Sequence, residues 1–141
     1  MPAFQIRAID PAATRPLRQH VLRPHESLEE LASHEPPGVH AVAAFAQSGQ
    51  LVACGFVCPD GGPGEWRVRG MATDPQHRGQ GAGTQILAAL VEHARQEGAT
   101  RIWCNARTPA IGLYERAGFQ RESDEFEIAA IGPHFVMALR V

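Results

Sequence analysis

Apolar and polar side chains alternate near the start of the chain. Residues 4–8 (FQIRA) follow this period of two, which predicts a first strand that stops at Asp10-Pro11. A helix is predicted over residues 12–22, after the proline. Ser27 and Glu30 have the spacing of a capping box, in which each side chain accepts a hydrogen bond from the other residue's backbone N–H. A second, short helix is therefore predicted to begin there.

Two long apolar runs follow over residues 39–47 and 50–58. They are separated by Ser48-Gly49, which predicts a tight two-residue hairpin turn. Both runs are apolar at successive as well as alternate positions, a pattern typical of strands that are covered on both faces. Helices are therefore expected on both sides of the sheet.

A third central strand is predicted over residues 65–73, after a loop rich in glycine and proline at 59–64. Strict alternation places Trp66, Val68, Gly70 and Ala72 on one face, and Glu65, Arg67, Arg69, Met71 and Thr73 on the other. The second face is charged at its start, which is typical of a strand that borders solvent or a cleft.

The C-terminal half alternates helices and strands. Apolar residues recur with helical spacing from Leu87 to Ala94, which predicts a helix over residues 82–97 that is closed by Gly98. The further predicted elements are a strand over 101–106, a helix that runs from an N-cap at Thr108 to Gly118, a strand from Phe119, and two strands around a turn at Gly132-Pro133.

Length and composition exclude several classes of function. The 141 residues fit one domain, 1–141, and a formal net charge of −2 at pH 7 offers no basic surface for nucleic acid. No run approaches the roughly 18 apolar residues of a membrane span, so no membrane partner and a cytoplasmic location are expected. The three cysteines, Cys54, Cys58 and Cys104, lack CxxC spacing and lie in apolar runs, which favours burial over redox or metal chemistry.

The segment PQHRGQGAGTQILAAL, residues 75–90, places three glycines directly before a predicted helix. A glycine-rich turn at a helix N-terminus presents unpaired backbone N–H groups and the positive end of the helix dipole, which favours binding of phosphate or pyrophosphate. The alternative is a flexible loop whose glycines serve tight packing. No lysine is present for a P-loop, and Thr84 stands where the dinucleotide fingerprint has its third glycine.

The pattern R-x-x-G-x-G at residues 78–83 resembles the coenzyme A pyrophosphate loop of the GNAT superfamily of acetyl-CoA-dependent N-acetyltransferases. The resemblance covers residues 65–120, from the strand VRGMATDP to the second motif NARTPAIGLYERAGF. The N-terminal third and the closing IGPHFVM resemble the small bacterial ElaA-like branch more loosely. The resemblance implies the α/β (α+β) GNAT fold, a mixed, mostly antiparallel sheet of six or seven strands with helices on both faces. It also implies that two parallel strands splay apart where the coenzyme enters.

The resemblance also implies acetyl-CoA as co-substrate and no metal. Backbone amides of residues 78–83 would bind the pyrophosphate, and the strand at 71–73 would pair with the pantetheine arm. The Met71 amide would stabilise the oxyanion that forms at the acetyl group. The residues implied to bind the coenzyme are Met71, Ala72, Thr73, Arg78, Gly79, Gln80, Gly81, Ala82, Gly83, Thr84, Asn105 and Tyr114.

Three side chains are candidates for proton transfer. The resemblance places Tyr114, the only tyrosine, near the departing sulfur, where its phenol would donate a hydrogen bond or proton; the alternative is a ring that only packs. Glu65 lies thirteen residues before Arg78 and resembles the base of the histone-acetylating branch, although a surface glutamate is an equal alternative. His134 lies in the IGPH segment and is the other candidate base, with a structural histidine as its alternative.

The identity of the amine acceptor is open at this stage. In this fold the segment between the first two helices lines the acceptor site, and here it contains Arg18, His20, Arg23, His25 and Glu26. Arg67 and Arg69 add positive charge, which favours an acceptor that carries a carboxylate or phosphate. A small-molecule amine is preferred to a protein lysine or N-terminus because the chain is compact. The alternative functions are a non-catalytic acyl-CoA sensor and an interaction domain. Because members of the family are frequently homodimers, a homodimer is a further possible assembly.

Overall fold

The computed structural model describes residues 4–141, and these residues form an eight-stranded sheet with helices on both faces. The strands are β1 (Gln5–Ile9), β2 (His40–Phe45), β3 (Leu51–Pro59), β4 (Glu65–Thr73), β5 (Arg101–Arg107), β6 (Gln120–Arg121), β7 (Phe126–Ile128) and β8 (Gly132–Arg140). The helices are α1 (Arg15–Leu22), α2 (Leu28–Ser33), α3 (Ala82–Gln96) and α4 (Ile111–Arg116), with 3-10 turns at Pro11–Thr14, Pro75–His77 and Thr108–Ala110.

The sheet has the order β1-β2-β3-β4-β5-β8-β6, and β7 also pairs with β8. Every pairing is antiparallel except β4 with β5, which confirms the predicted mixed, mostly antiparallel sheet. The short strands β6 and β7 raise the number of strands in the described residues to eight, above the predicted six or seven. The parallel pairing ends at Arg67 and Trp103, after which β4 and β5 separate.

Apolar packing holds one layer of helix on each face of the sheet. On one face the fully buried Ile86, Leu87 and Leu90 of α3 pack against β2, β3 and β5. On the other face Leu17 and Val21 of α1 pack against a smaller buried cluster. Full burial of each such side chain contributes about 1.5–3 kcal/mol to the free energy of unfolding. The prediction that both faces are covered is confirmed.

The three cysteines are buried and free of disulfides, as predicted. Burial raises the pKa of the Cys54 and Cys104 thiols to about 12. Both thiols are therefore protonated and unreactive at neutral pH.

Two helix-end predictions are confirmed and one is wrong. The capping box forms, because Ser27 Oγ accepts from the Glu30 N–H and the Glu30 carboxylate accepts from the Ser27 N–H, both at 3.1 Å. Gly98 follows α3 in the left-handed conformation, with φ 93°. Thr108 is not an N-cap: it begins a 3-10 turn, and its hydroxyl donates to the Glu125 carboxylate at 2.8 Å.

The hairpin between β2 and β3 is longer than predicted. The Ala46 N–H donates to the Gln50 carbonyl and the Gly49 N–H donates to the Ala46 carbonyl, each at 2.9 Å. These bonds close a three-residue loop over residues 47–49, in which Gly49 has φ 88°. The two-residue turn predicted at Ser48-Gly49 is therefore wrong.

The last hairpin turns earlier than predicted. Ile128 of β7 pairs with Gly132 of β8, so the turn consists of residues 129–131. Gly132 and Pro133 lie inside β8 rather than in the turn. Pro133 is accommodated there in the first residues of the strand, where a missing N–H disturbs few ladder bonds.

β4 contains a bulge at Gly70 and Met71. Cys54 pairs with Ala72, and Phe56 two residues later pairs with Arg69, so β4 has one residue more than β3 between these pairs. Gly70 has φ 65°, and a Cβ at this position would lie 2.7 Å from a ring carbon of Phe56. Only glycine fits both the backbone conformation and the space.

The bulge reverses the alternation of side chains along β4. Met71 packs into the core under α3, where its sulfur approaches Gly55. Arg69 lies on the opposite face, beside Arg18 of α1. The prediction that Met71 shares a face with Arg67 and Arg69 is therefore wrong, because an extra residue shifts the period of two.

Candidate active site

The separation of β4 and β5 opens a cavity of about 560 Å³, a volume typical of small-molecule sites. Its walls come from the end of α1, from β4 and β5, from the segment 109–114 and from β8. Of the residues predicted from sequence for coenzyme binding or catalysis, those that line it are Met71, Ala72, Thr73, Arg78, Gly83, Asn105, Tyr114 and His134. Two strands, a glycine loop and a distant C-terminal strand are thus brought to one site.

The glycine loop leads into α3 with free backbone donors. Gly81 is the N-cap of α3, has φ 87° and makes no side-chain capping bond. The first helical bond runs from the Gln85 N–H to the Gly81 carbonyl, so the N–H groups of residues 82–84 have no partner within the helix. Unpaired amides together with the positive end of a helix dipole are an arrangement that favours an anion.

The loop is also open to an incoming group. A Cβ at Gly79 or at Gly81 would meet no atom within 4 Å. Arg78 and Gly83 line the cavity, whereas Gly79, Gln80, Gly81, Ala82 and Thr84 do not. The space beside Gly79 and Gly81 is therefore not filled by neighbouring side chains.

One backbone edge of β4 has no strand beside it. Pairing with β5 stops at Arg67, and Gly70 and Met71 have no register partner on β3 either. An extended ligand that enters between the strands meets unpaired backbone groups along residues 68–73, in the manner of an added strand.

Tyr114 of α4 is 5% exposed and packs edge-on against Phe119, with ring centroids 5.5 Å apart. Burial, with a smaller effect of Cys104, raises the pKa of the Tyr114 hydroxyl well above its ordinary value. The phenol is therefore protonated at neutral pH and acts as a hydrogen-bond donor. The structure brings it to the cavity that Asn105 also lines.

His134 of β8 is 4% exposed, and its Nδ1 lies 2.7 Å from the carbonyl oxygen of Gly132. A carbonyl only accepts, so Nδ1 carries the hydrogen. In the neutral imidazole the lone pair is then on Nε2, which is the arrangement that a general base requires.

Glu65 does not reach this cavity. Its carboxylate accepts hydrogen bonds from the Gly62 N–H and from Arg101, both at 2.8 Å. The Gly62 bond lowers the pKa of the Glu65 carboxyl and Arg101 lowers it further, which together outweigh the opposing effect of desolvation. A carboxylate held by an arginine is a weaker proton acceptor, so the geometry does not support the expectation that Glu65 is the base.

The segment between α1 and α2 contributes less to the cavity than expected. Arg23 lines it, whereas Arg18 and Glu26 line a smaller adjoining cavity of about 170 Å³ and His20 and His25 line neither. Sequence reasoning missed Arg107, which lines the main cavity from the end of β5. The signal was its position two residues after Asn105, on the same strand face.

Residues 4–141 contain neither a metal-binding cluster nor a membrane-spanning helix. No group of three or more His, Cys, Asp or Glu side chains in this range is arranged to hold a metal ion. Within the same range, no helix has the length and apolar character needed to cross a bilayer.

Comparison with known proteins identifies the family. The family model described as the Acetyltransferase (GNAT) family matches residues 6–119. The chain belongs to the GNAT family. It is 30% identical over 143 residues to the uncharacterized N-acetyltransferase YitI of Bacillus subtilis, which covers 95% of this chain and 94% of YitI. As a member of the GNAT family the chain is an acyltransferase, and the predicted superfamily and fold are confirmed.

Two other comparisons add to this assignment. The chain is 32% identical over 111 residues to glucosamine 6-phosphate N-acetyltransferase 1 of Oryza sativa subsp. japonica, covering 74% of this chain and 65% of the rice protein. A solved structure from Lactobacillus plantarum superposes with a TM-score of 0.81 at 23% identity over 98% of both chains, which shows the GNAT fold. The resemblance to the ElaA-like branch stays a prediction.

Proposed function

We propose that this GNAT protein transfers the acetyl group of acetyl-CoA directly to the primary amine of a small molecule. The observation that carries the proposal is the cavity between β4 and β5. This cavity connects the proposed anion site at the start of α3 with the protonated phenol of Tyr114 and with the imidazole of His134, whose Nε2 carries no hydrogen.

The residues fit acetyl-CoA as a substrate in three ways. The unpaired amides of 82–84, with Arg78 beside them, suit its pyrophosphate. The unpaired edge of β4 at Met71, Ala72 and Thr73 suits an extended amide chain. Asn105 faces that edge from β5 and supplies a further hydrogen-bonding side chain.

The chemistry follows from what these groups can do. The amine nitrogen forms a bond to the acetyl carbon while the bond from that carbon to sulfur breaks. His134 Nε2 accepts the proton that the amine loses, and the Met71 N–H in the bulge stabilises negative charge on the acetyl oxygen. The raised pKa of Tyr114 makes it a poor donor of a whole proton to a thiolate, so its role is a hydrogen bond to the departing sulfur.

A small-molecule acceptor is favoured by two observations. The cavity of about 560 Å³ is large enough to hold a small amine together with the reacting end of the coenzyme. The rice relative is named for an amino sugar phosphate, which is a small molecule. A protein lysine or N-terminus is the alternative acceptor.

Two measurements test the proposal. Calorimetry with coenzyme A should give saturable heat, and NAD and ATP should give none. Thiol release from acetyl-CoA, followed across polyamines, amino acids, amino sugars, antibiotics and peptides, should occur with at least one small amine and yield its acetylated product by mass spectrometry. Heat without release would indicate a sensing domain, release with peptides alone a protein acetyltransferase, and the absence of heat would contradict coenzyme binding.

A further inference from the structure

Four arginines surround the end of the cavity that lies away from the glycine loop. This arginine cluster consists of Arg23 at the end of α1, Arg67 and Arg69 of β4, and Arg107 at the end of β5. Thr73, beside the loop, is six residues from Arg67 and four from Arg69 along β4, which corresponds to roughly 20 Å and roughly 13 Å at about 3.3 Å per residue. The cluster is therefore separate from the groups proposed to bind pyrophosphate.

The positive charge of the cluster is only half balanced. Arg23 pairs with Glu26 at 3.1 Å, and Arg67 lies 3.6 Å from Asp60. Neither Arg69 nor Arg107 forms an ion pair with any carboxylate in residues 4–141. Four guanidinium groups thus face two carboxylates.

Two buried donors of the cluster lack acceptors. Arg23 Nη1 and Arg67 Nε are buried and have no hydrogen-bond partner within the part of the chain that the structure describes. A buried donor without an acceptor costs free energy. The fold therefore accepts an energetic cost at these two arginines in addition to the unbalanced charge.

The arginines are also held close enough to repel one another. Burial lowers the pKa of Arg23, Arg69 and Arg107, and the charge of another arginine of the cluster lowers each further. Arg67 is fixed over the ring of Trp103, 4.7 Å from its centroid, and Arg107 Nη2 donates to the Leu22 carbonyl at 2.9 Å. The fold maintains this unfavourable arrangement, which is typical of a site prepared for an opposite charge.

We propose that the arginine cluster binds a carboxylate or phosphate group of the acceptor, so that the substrate is an anionic amine. This inference rests on the proposed acetyl transfer. Guanidinium groups bind both anions through paired N–H donors. Arg107 is the register partner of His134, so an anion on the cluster places an amine a few bonds away beside the proposed base.

The first test compares amines that differ only in the anion. Glucosamine 6-phosphate is compared with glucosamine, and a free amino acid with its amide. The anionic member of at least one pair should have a kcat/KM about tenfold or more above its neutral twin, as one charge-assisted contact implies. The pair that shows the preference distinguishes phosphate from carboxylate.

The second test uses variants of the two arginines that lack ion pairs. Arg69→Gln and Arg107→Gln should each raise the KM of the anionic acceptor about 10- to 100-fold, and lower the kcat/KM of the neutral twin by a much smaller factor, so that the preference for the anionic acceptor is lost. Arg69→Lys should restore part of the effect because it keeps the charge. Arg95→Gln, at an exposed arginine of α3, is the matched control and should not change the KM of the anionic acceptor.

The outcomes separate this inference from the proposed function. Two outcomes would overturn the arginine inference and leave acetyl transfer intact. One is that neutral amines are acetylated as well as their anionic twins. The other is that the arginine variants lower the melting temperature without changing the preference for the anionic acceptor. Failure to release thiol with any amine would overturn both.

Discussion

Arg107 of β5 and His134 of β8 are direct register partners, so the cationic end of the cavity and the proposed base lie side by side across one pair of strands. Antiparallel partners have Cα atoms about 4.5–5.5 Å apart. In the proposed reaction, one strand pair thus provides both a charge for the acceptor and a lone pair for its proton. The two functions come from segments far apart in sequence, joined only by the pairing of β5 with β8.

Replacing the proposed base should alter the pH dependence of the reaction. We expect His134→Gln to lower kcat/KM about 100-fold or more near neutral pH, in the range typical of a general base. The acidic limb of the pH–rate profile should flatten, because the rate no longer depends on loss of a proton from imidazole. Glu65→Gln is the control and should leave the shape of the profile unchanged. A profile that moves in the Glu65 variant alone would reverse the two assignments.

Removing the Tyr114 hydroxyl should slow the chemical step. We expect Tyr114→Phe to lower kcat about tenfold to a hundredfold, as loss of a hydrogen bond to developing charge implies. The ring keeps its edge-on contact with Phe119, so the melting temperature and the Kd of acetyl-CoA should change little. Steady-state kinetics and calorimetry on the same sample check both points. Wild-type turnover would leave Tyr114 with a packing role only.

The features predicted correctly from sequence depend on neighbours along the chain. The capping box joins Ser27 to Glu30, and the R-x-x-G-x-G loop and the helix that follows it occupy one continuous segment. Such features have fixed spacings that a sequence displays directly. The mixed, mostly antiparallel character of the sheet followed from the family resemblance, because local patterns do not specify which strands pair.

Other differences between expectation and structure came from contacts between distant segments. The bulge in β4 depends on the register of β3, although an isolated glycine inside a strand, here Gly70, was a signal for it. Glu65 looked like a base by its distance from Arg78, but Arg101, 36 residues later, lies beside it and holds its carboxylate. Arg107 was missed because only strand pairing places it opposite His134. Sequence spacing counts positions and does not show which charge lies across the sheet.

The stability of the α1 region should depend on pH through Glu35. Its side chain is 8% exposed and pairs with Arg15 at 2.9 Å and with Arg18. Burial acts to raise the pKa of Glu35, but the hydrogen bonds and charges of the two arginines outweigh it and the pKa is lowered. A carboxyl whose pKa is lower in the folded state adds stability above its unfolded pKa and loses that stability as the pH falls through the folded pKa.

Glu35→Gln should therefore destabilise the protein at neutral pH by about 1–3 kcal/mol, somewhat less than a fully buried pair would lose. The difference from wild type should shrink as the pH falls below the ordinary value of 4.5 for a glutamate. Urea unfolding at a series of pH values measures it. Glu127→Gln, on the exposed face of β7, should have little effect at any pH. A pH-independent difference would mean that Glu35 acts through packing.

The glycine loop can be tested separately from the stability of α3, because two glycines flank this helix in the same conformation. Gly81 has φ 87° at the N-terminus and Gly98 has φ 93° beyond the C-terminus, and a Cβ at either would meet no atom within 4 Å. Alanine should cost each variant a similar free energy of unfolding, about 1–2 kcal/mol for a left-handed residue.

Only Gly81→Ala changes the backbone whose amides are proposed to bind pyrophosphate. This variant should raise the Kd of coenzyme A about tenfold or more, whereas Gly98→Ala should leave that Kd unchanged. Calorimetry with coenzyme A and thermal unfolding of both variants measure the two effects. Equal coenzyme affinity in the two variants would show that the loop does not hold the ligand.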